Sequence, residues 1–83
     1  MDHFQDNGTF ETPVTVKLAG SKVEIANTRE AAELLLYKWP IGETGKHIQA
    51  RMACMRVLGG GSPPEFARRA FVGAAKEARI VHG

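Results

Sequence analysis

Asn27-Thr28-Arg29-Glu30-Ala31-Ala32-Glu33-Leu34-Leu35-Leu36-Tyr37-Lys38-Trp39-Pro40 carries a start signal, an apolar stripe and a stop in one run. Asn27 is a residue type that caps helix N-termini. Glu30 stands three places on, the spacing at which side chain and backbone satisfy each other's spare donors. Pro40 has no N–H to give to a continuing helix and closes the segment. At about 100° per residue, Ala31, Ala32, Leu35, Leu36 and Trp39 fall in one arc, with Arg29, Glu33 and Tyr37 across from it. The stretch therefore predicts a first helix with one apolar side, which needs a surface to cover.

That surface lies just upstream. Val14-Thr15-Val16-Lys17-Leu18 and Lys22-Val23-Glu24-Ile25 alternate apolar and polar residues, the period of strands with one covered face. With Gly20-Ser21 as the central pair of a type II′ turn, Leu18 faces Val23, Val16 faces Ile25 and Lys17 faces Glu24. Val14, Val16, Leu18, Val23 and Ile25 then share the face that the first helix roofs. A two-stranded ribbon leaves two unpaired edges. Pairing with a second copy is one remedy. The other is Thr9-Phe10-Glu11-Thr12 folding back as a short third strand, limited by Pro13. Otherwise residues 1–12 mix polar types without period and read as a mobile N-terminal tail, in which Phe10 can be pinned near the fold.

Downstream, Ile41-Gly42-Glu43-Thr44-Gly45 is a loop, and Lys46 to Leu58 reads as a second helix. Its apolar residues fall on two arcs, Ile48, Met52 and Met55 on one and Ala50, Cys54, Val57 and Leu58 on the other. A helix apolar on two sides is expected to be sandwiched, with Arg51 and Arg56 extending their stems along the core to water. Gly59-Gly60-Gly61 breaks it. Ser62-Pro63-Pro64-Glu65 opens a third helix, with Ser62 as the cap and Pro63 in the first helical position. Along that helix Phe66, Ala67, Ala70, Phe71, Ala74, Ala78 and Val81 share one face, while Arg68, Arg69, Lys76 and Arg79 share the other. The expected fold is α+β, a β-hairpin followed by three α-helices (β-β-α-α-α) packed on one face of the hairpin. Residues 13–83 form a single domain.

Eighty-three residues can bury one core. With 43% hydrophobic and 24% charged residues the chain is neither disordered nor fibrous, and no apolar run is long enough to span a membrane. Acids near Met1, and no apolar stretch after it, argue against a signal peptide. A single cysteine, Cys54, precludes an intrachain disulfide and fits a reducing compartment, so a cytoplasmic location is expected. The net charge is +2, unevenly spread: seven acids against four Lys/Arg in residues 1–43, and two against seven in residues 44–83. Such a division suits an anionic partner for the basic half, or association through opposite ends.

With the whole pattern in view, Glu30-Ala31-Ala32 with Leu35 and Trp39-Pro40, then Ala50 and Cys54, then Arg69-Ala70-Phe71 with Ala74-Ala75 and Ala78, the chain resembles a family of small bacterial proteins, the domain of unknown function family 982. The resemblance spans about residues 13–81 and rests on packing residues. It implies a fold family, with no activity, substrate, cofactor or site residue attached.

The residues that carry chemistry form no catalytic set. Gly45-Lys46 at a helix start resembles the end of a phosphate loop, but Pro40 stands where its first glycine belongs, His47 where Ser or Thr would hold magnesium, and a helix precedes it instead of a strand. Gly59-Gly60-Gly61-Ser62 has no lysine beside it and reads as a connector. His47 and Cys54 are seven residues apart on one helix, about two turns, beyond hydrogen-bond reach, which leaves Cys54 as a small buried hydrophobe. His3, His47 and His82 have no metal-ligand spacing, and neither metal nor cofactor is expected. Glu30 is occupied by its cap, and Glu33 faces solvent. The expected function is a protein-interaction or self-associating module without catalysis. The alternative is nucleic-acid binding by the basic face of Arg68, Arg69, Lys76 and Arg79, which lacks interleaved aromatics.

Overall fold

A computed structural model describes residues 7–82 of the chain. It runs β1 (Thr9–Leu18), β2 (Ser21–Asn27), α1 (Thr28–Tyr37), α2 (Gly45–Leu58) and α3 (Pro64–Glu77). The hairpin followed by three helices is the α+β arrangement that the periodicity predicts. α1 lies on β2 and α3 on β1, while α2 packs against both of those helices. Val14, Val16 and Ile25 from the sheet meet Ala31 and Leu35 of α1, Ala50 and Cys54 of α2, and Ala67, Phe71, Ala74 and Ala75 of α3 in one core. The many alanines let the helix backbones approach closely.

The hairpin register differs from the expected one by two residues. Leu18 pairs with Ser21, Lys17 with Lys22, Val16 with Val23, Thr15 with Glu24 and Val14 with Ile25. The turn is Ala19-Gly20, both at positive φ (50° and 84°), which is the type I′ signature, not the type II′ turn. A shift of two preserves the side-chain alternation, so Val14, Val16 and Ile25 still face the core. It does exchange an expected Lys17–Glu24 pair for two lysines directly opposed.

The segment expected to be tail is strand from Thr9 onward, and Phe10 is buried. Residues 1–6, including His3, lie outside the described residues. Thr9–Thr12 does not fold back as a third strand: it extends β1, with Thr9 opposite Asn27 and a register irregularity before Val14. Pro13, which has no N–H for the ladder, sits in that interval.

A third segment does complete the sheet, and it comes from beyond α3. Lys17 N–H donates to the Ile80 carbonyl at 2.7 Å, His82 N–H donates to the Thr15 carbonyl at 2.9 Å, and Val16 and Val81 form an antiparallel bridge. Of the two edges expected to be open, that of β1 is therefore covered over Thr15–Lys17 by the chain itself.

α1 begins with every first-turn donor accounted for. Thr28 and Arg29 N–H donate to the Gly8 and Asn7 carbonyls (2.8 and 3.1 Å), and Glu30 N–H donates to Asn27 Oδ1 at 2.8 Å. Glu30 reaches back one residue further than a capping box requires, its Oε1 accepting the Ala26 N–H at 2.8 Å instead of that of the N-cap Asn27. The buried arc is Thr28, Ala31, Leu34 and Leu35, rotated from the expected one, and Leu36 is 55% exposed. The helix ends at Tyr37, so Trp39 lies beyond it and folds back against His47 and Phe71 with ring centroids 5.6 and 5.9 Å away.

α2 is not sandwiched. His47, Ala50, Ala53, Cys54 and Val57 are buried, while Met52 and Met55 on the other arc are 59% and 72% exposed. As the outer layer of the stack, α2 has neighbours on one side only. α3 starts one residue later than the Ser62 cap implies: Pro63 is the N-cap, without a side-chain bond, and Pro64 opens the helix. A residue before proline is driven out of helical φ/ψ, which forces Pro63 into its extended conformation.

α3 ends in a Schellman motif, Ile80 N–H on the Ala75 carbonyl and Arg79 N–H on the Lys76 carbonyl, both at 3.0 Å. Arg79 occupies the left-handed position at φ 59°, where a β-carbon is unfavourable. Arg79→Gly is expected to raise the unfolding free energy by about 1 kcal/mol, read by urea titration. No change, or a loss, would mean that the arginine side chain makes up for its backbone.

Candidate functional site

The loop before α2 is built to hold the helix start. Thr44 caps it, its Oγ1 accepting from His47 N–H at 3.2 Å, and the same hydroxyl donates to Glu77 Oε1 at 2.6 Å. Glu43 is paired with Arg51. Two carboxylates thus stand about this helix start, where a phosphate would need cations, and Lys46 points to solvent.

His47 and Cys54 do not meet as nucleophile and base. The buried His47 ring places Nε2 2.7 Å from the Leu35 carbonyl, so Nε2 carries the proton and donates it, and no described group bonds Nδ1. Cys54 is wholly buried, and burial pushes its thiol from 9.0 up to about 11, the reverse of an activated thiolate. The folded pKa lies above the unfolded one, so the stabilisation is complete below pH 9 and is lost as pH rises towards 11. That loss is on the order of 2–3 kcal/mol. Denaturant titrations of the wild type and Cys54→Ala between pH 8 and 11 are expected to converge by this amount as pH rises, and parallel pH profiles would refute the assignment. Among the described residues no three His, Cys, Asp or Glu side chains converge as metal ligands would, and no helix is long and apolar enough to cross a membrane.

The four basic residues predicted as one face are differently placed. Arg68 Nε donates to the Thr12 carbonyl at 2.7 Å, tying α3 to β1, and both Arg68 and Arg69 approach Glu65 (3.9 and 3.4 Å). Lys76 is exposed in the last turn, and Arg79 sits in the turn beyond the helix. Phe66, expected in the core, is 45% exposed with Arg56 5.6 Å above its ring. It lines a groove of about 340 Å³ between α2 and α3 together with Lys46, Gln49 and Arg69. The missing aromatic is therefore present, on a surface that helical periodicity alone assigned to the interior.

The remaining feature is the outer edge of β2. Thr15 and Lys17 direct their backbone groups to the C-terminal segment, so the alternation of an antiparallel ladder sends those of Lys22 and Glu24 away from β1. The next outward N–H, that of Ala26, is taken by Glu30. Beside this edge a groove of about 560 Å³ opens between β2 and α1, lined by Leu18, Val23, Ile25 and Leu34 with Glu30, Glu33, Tyr37 and Lys38 at its rim. Tyr37 is 77% exposed there. The alternation of residues 22–25 was a sufficient signal for the strand, but which edge stays open depended on the pairing of residues 80–82.

A family model described as "Protein of unknown function (DUF982)" matches residues 12–82. No curated protein and no solved structure matches the chain.

Proposed function

The chain belongs to the DUF982 family of unknown function, and from that premise we propose that it is a non-catalytic protein-interaction module that docks an added strand on the open edge of β2. The observation that carries this reading is the edge itself: outward backbone groups at Lys22 and Glu24 stand beside an apolar groove. An extended partner would gain main-chain hydrogen bonds from the edge and alternate side-chain pockets from the groove, the two components of strand addition. The test is to pan a library of extended peptides, with the chain itself as a competitor, on immobilised wild type and on Glu24→Pro. Proline there removes an outward N–H and no ladder bond. Binders that fail on Glu24→Pro are expected. An absence of binders, or binders indifferent to the proline, would sink the reading.

A second reading rests on Phe66. Its exposed ring beside Arg56, Arg69 and Lys46 supplies what single-stranded nucleic-acid binding needs, a stacking platform among cations. Binding of mixed single-stranded DNA and RNA should weaken steeply with salt and fall with Phe66→Ala. Binding without salt dependence would dispose of it.

A further inference from the structure

We propose that the partner of the β2 edge is a second copy of the chain, paired β2 to β2 antiparallel about a two-fold axis at Val23, an inference that rests on the reading of that edge as a docking strand. The outward backbone groups belong to Lys22 and Glu24, so bonded pairs across the axis must join residues of this set. An axis at Lys22 opposes two lysines, and one at Glu24 opposes two glutamates. With the axis at Val23, Lys22 of each copy faces Glu24 of the other, twice. Lys-Val-Glu read antiparallel is its own complement.

Two features of the single chain agree. Lys17 and Lys22 are directly opposed on adjacent strands, and neither pairs with a carboxylate among the described residues. Like charges in that position are unfavourable. In the dimer, Glu24 of the second copy joins this row on the exposed face. On the helix-facing side, Val23 meets its copy, and the two grooves lined by Leu18, Val23 and Leu34 join across the axis beneath the exposed Tyr37 rings.

The experiment is sedimentation equilibrium of the full chain from low micromolar to near-millimolar concentration. Apparent mass is expected to double across that range. Lys22→Glu and Glu24→Lys are each expected to weaken association by about tenfold or more. An equimolar mixture of these two variants should form a heterodimer, because each then presents what the other lacks, and the double variant Lys22→Glu/Glu24→Lys should regain self-association. Circular dichroism of each variant controls for folding at these exposed positions. A wild type that stays monomeric, or a dimer indifferent to the charges and to mixing, overturns the proposal. A monomer that still retains peptides at the edge overturns the dimer while leaving the docking reading standing; a monomer that retains none removes both.

Discussion

Replacing Phe71 with alanine is expected to cost about 3–5 kcal/mol, the largest effect of any single truncation in this chain. Phe71 is fully buried on α3, where it meets the Trp39 ring edge-on at 5.9 Å and belongs to the cluster joined by all three helices and both strands. Removing the ring empties the centre of the stack, and the small side chains around it, Ala31, Ala50, Ala67, Ala74 and Ala75, cannot reach in to fill the space. A domain of this length has a total stability of about 4–12 kcal/mol, so Phe71→Ala removes a quarter of it or more. Phe71→Leu keeps most of the volume and should cost less than about 1.5 kcal/mol, with a cooperative urea transition retained. A loss of under 1 kcal/mol for the alanine variant would mean that the core is centred elsewhere.

Gly8→Ala is expected to cost about 2–4 kcal/mol, from backbone strain and overpacking together. Gly8 has φ +66°, and a β-carbon there would run into Thr28 Oγ1 and Cβ, with Val57 Cγ1 at 3.0 Å. The collision falls on a junction that α1 depends on. The Gly8 carbonyl accepts both the Thr28 N–H and the buried Thr28 hydroxyl, at 2.8 and 2.7 Å. Gly20→Ala supplies the control: φ is +84°, and a β-carbon meets nothing within 4 Å. It should cost only the left-handed backbone strain, about 1 kcal/mol. Equal effects of the two substitutions, measured by thermal or urea unfolding, would show that the contact with Thr28 and Val57 yields easily.

These two predictions differ in how far the sequence foretells them. Phe71 falls on the apolar face of a periodic helix and is legible as core. Gly8 is not, because the bonds that fix it are made by backbone carbonyls, which carry no residue signature, to donors about twenty positions away. For the same reason the pairing of Ile80–His82 with β1 escapes detection: three residues are too few to show a period. The hairpin faces are legible because alternation survives a shift of two, whereas the register turned on whether Ala19 accepts a positive φ. For α2, two apolar arcs were evident, but periodicity does not say which of them has a neighbour. The surface residues follow this pattern. The cations of α3 are visible as composition, yet the contact of Arg68 with Thr12 and the exposure of Phe66 depend on how the helices are stacked.

The pairing of β1 bears on how the chain reaches this state. β2 follows β1 after a two-residue turn, but the bonds on the other side of β1 come from more than sixty residues downstream. The hairpin ladder joins neighbours in sequence, a local event of microseconds, whereas the bridge between Val16 and Val81 requires closure of a loop that contains all three helices. The cover on this side of β1 therefore depends on the helices being in place, and any state of the chain that lacks it exposes two strand edges instead of one.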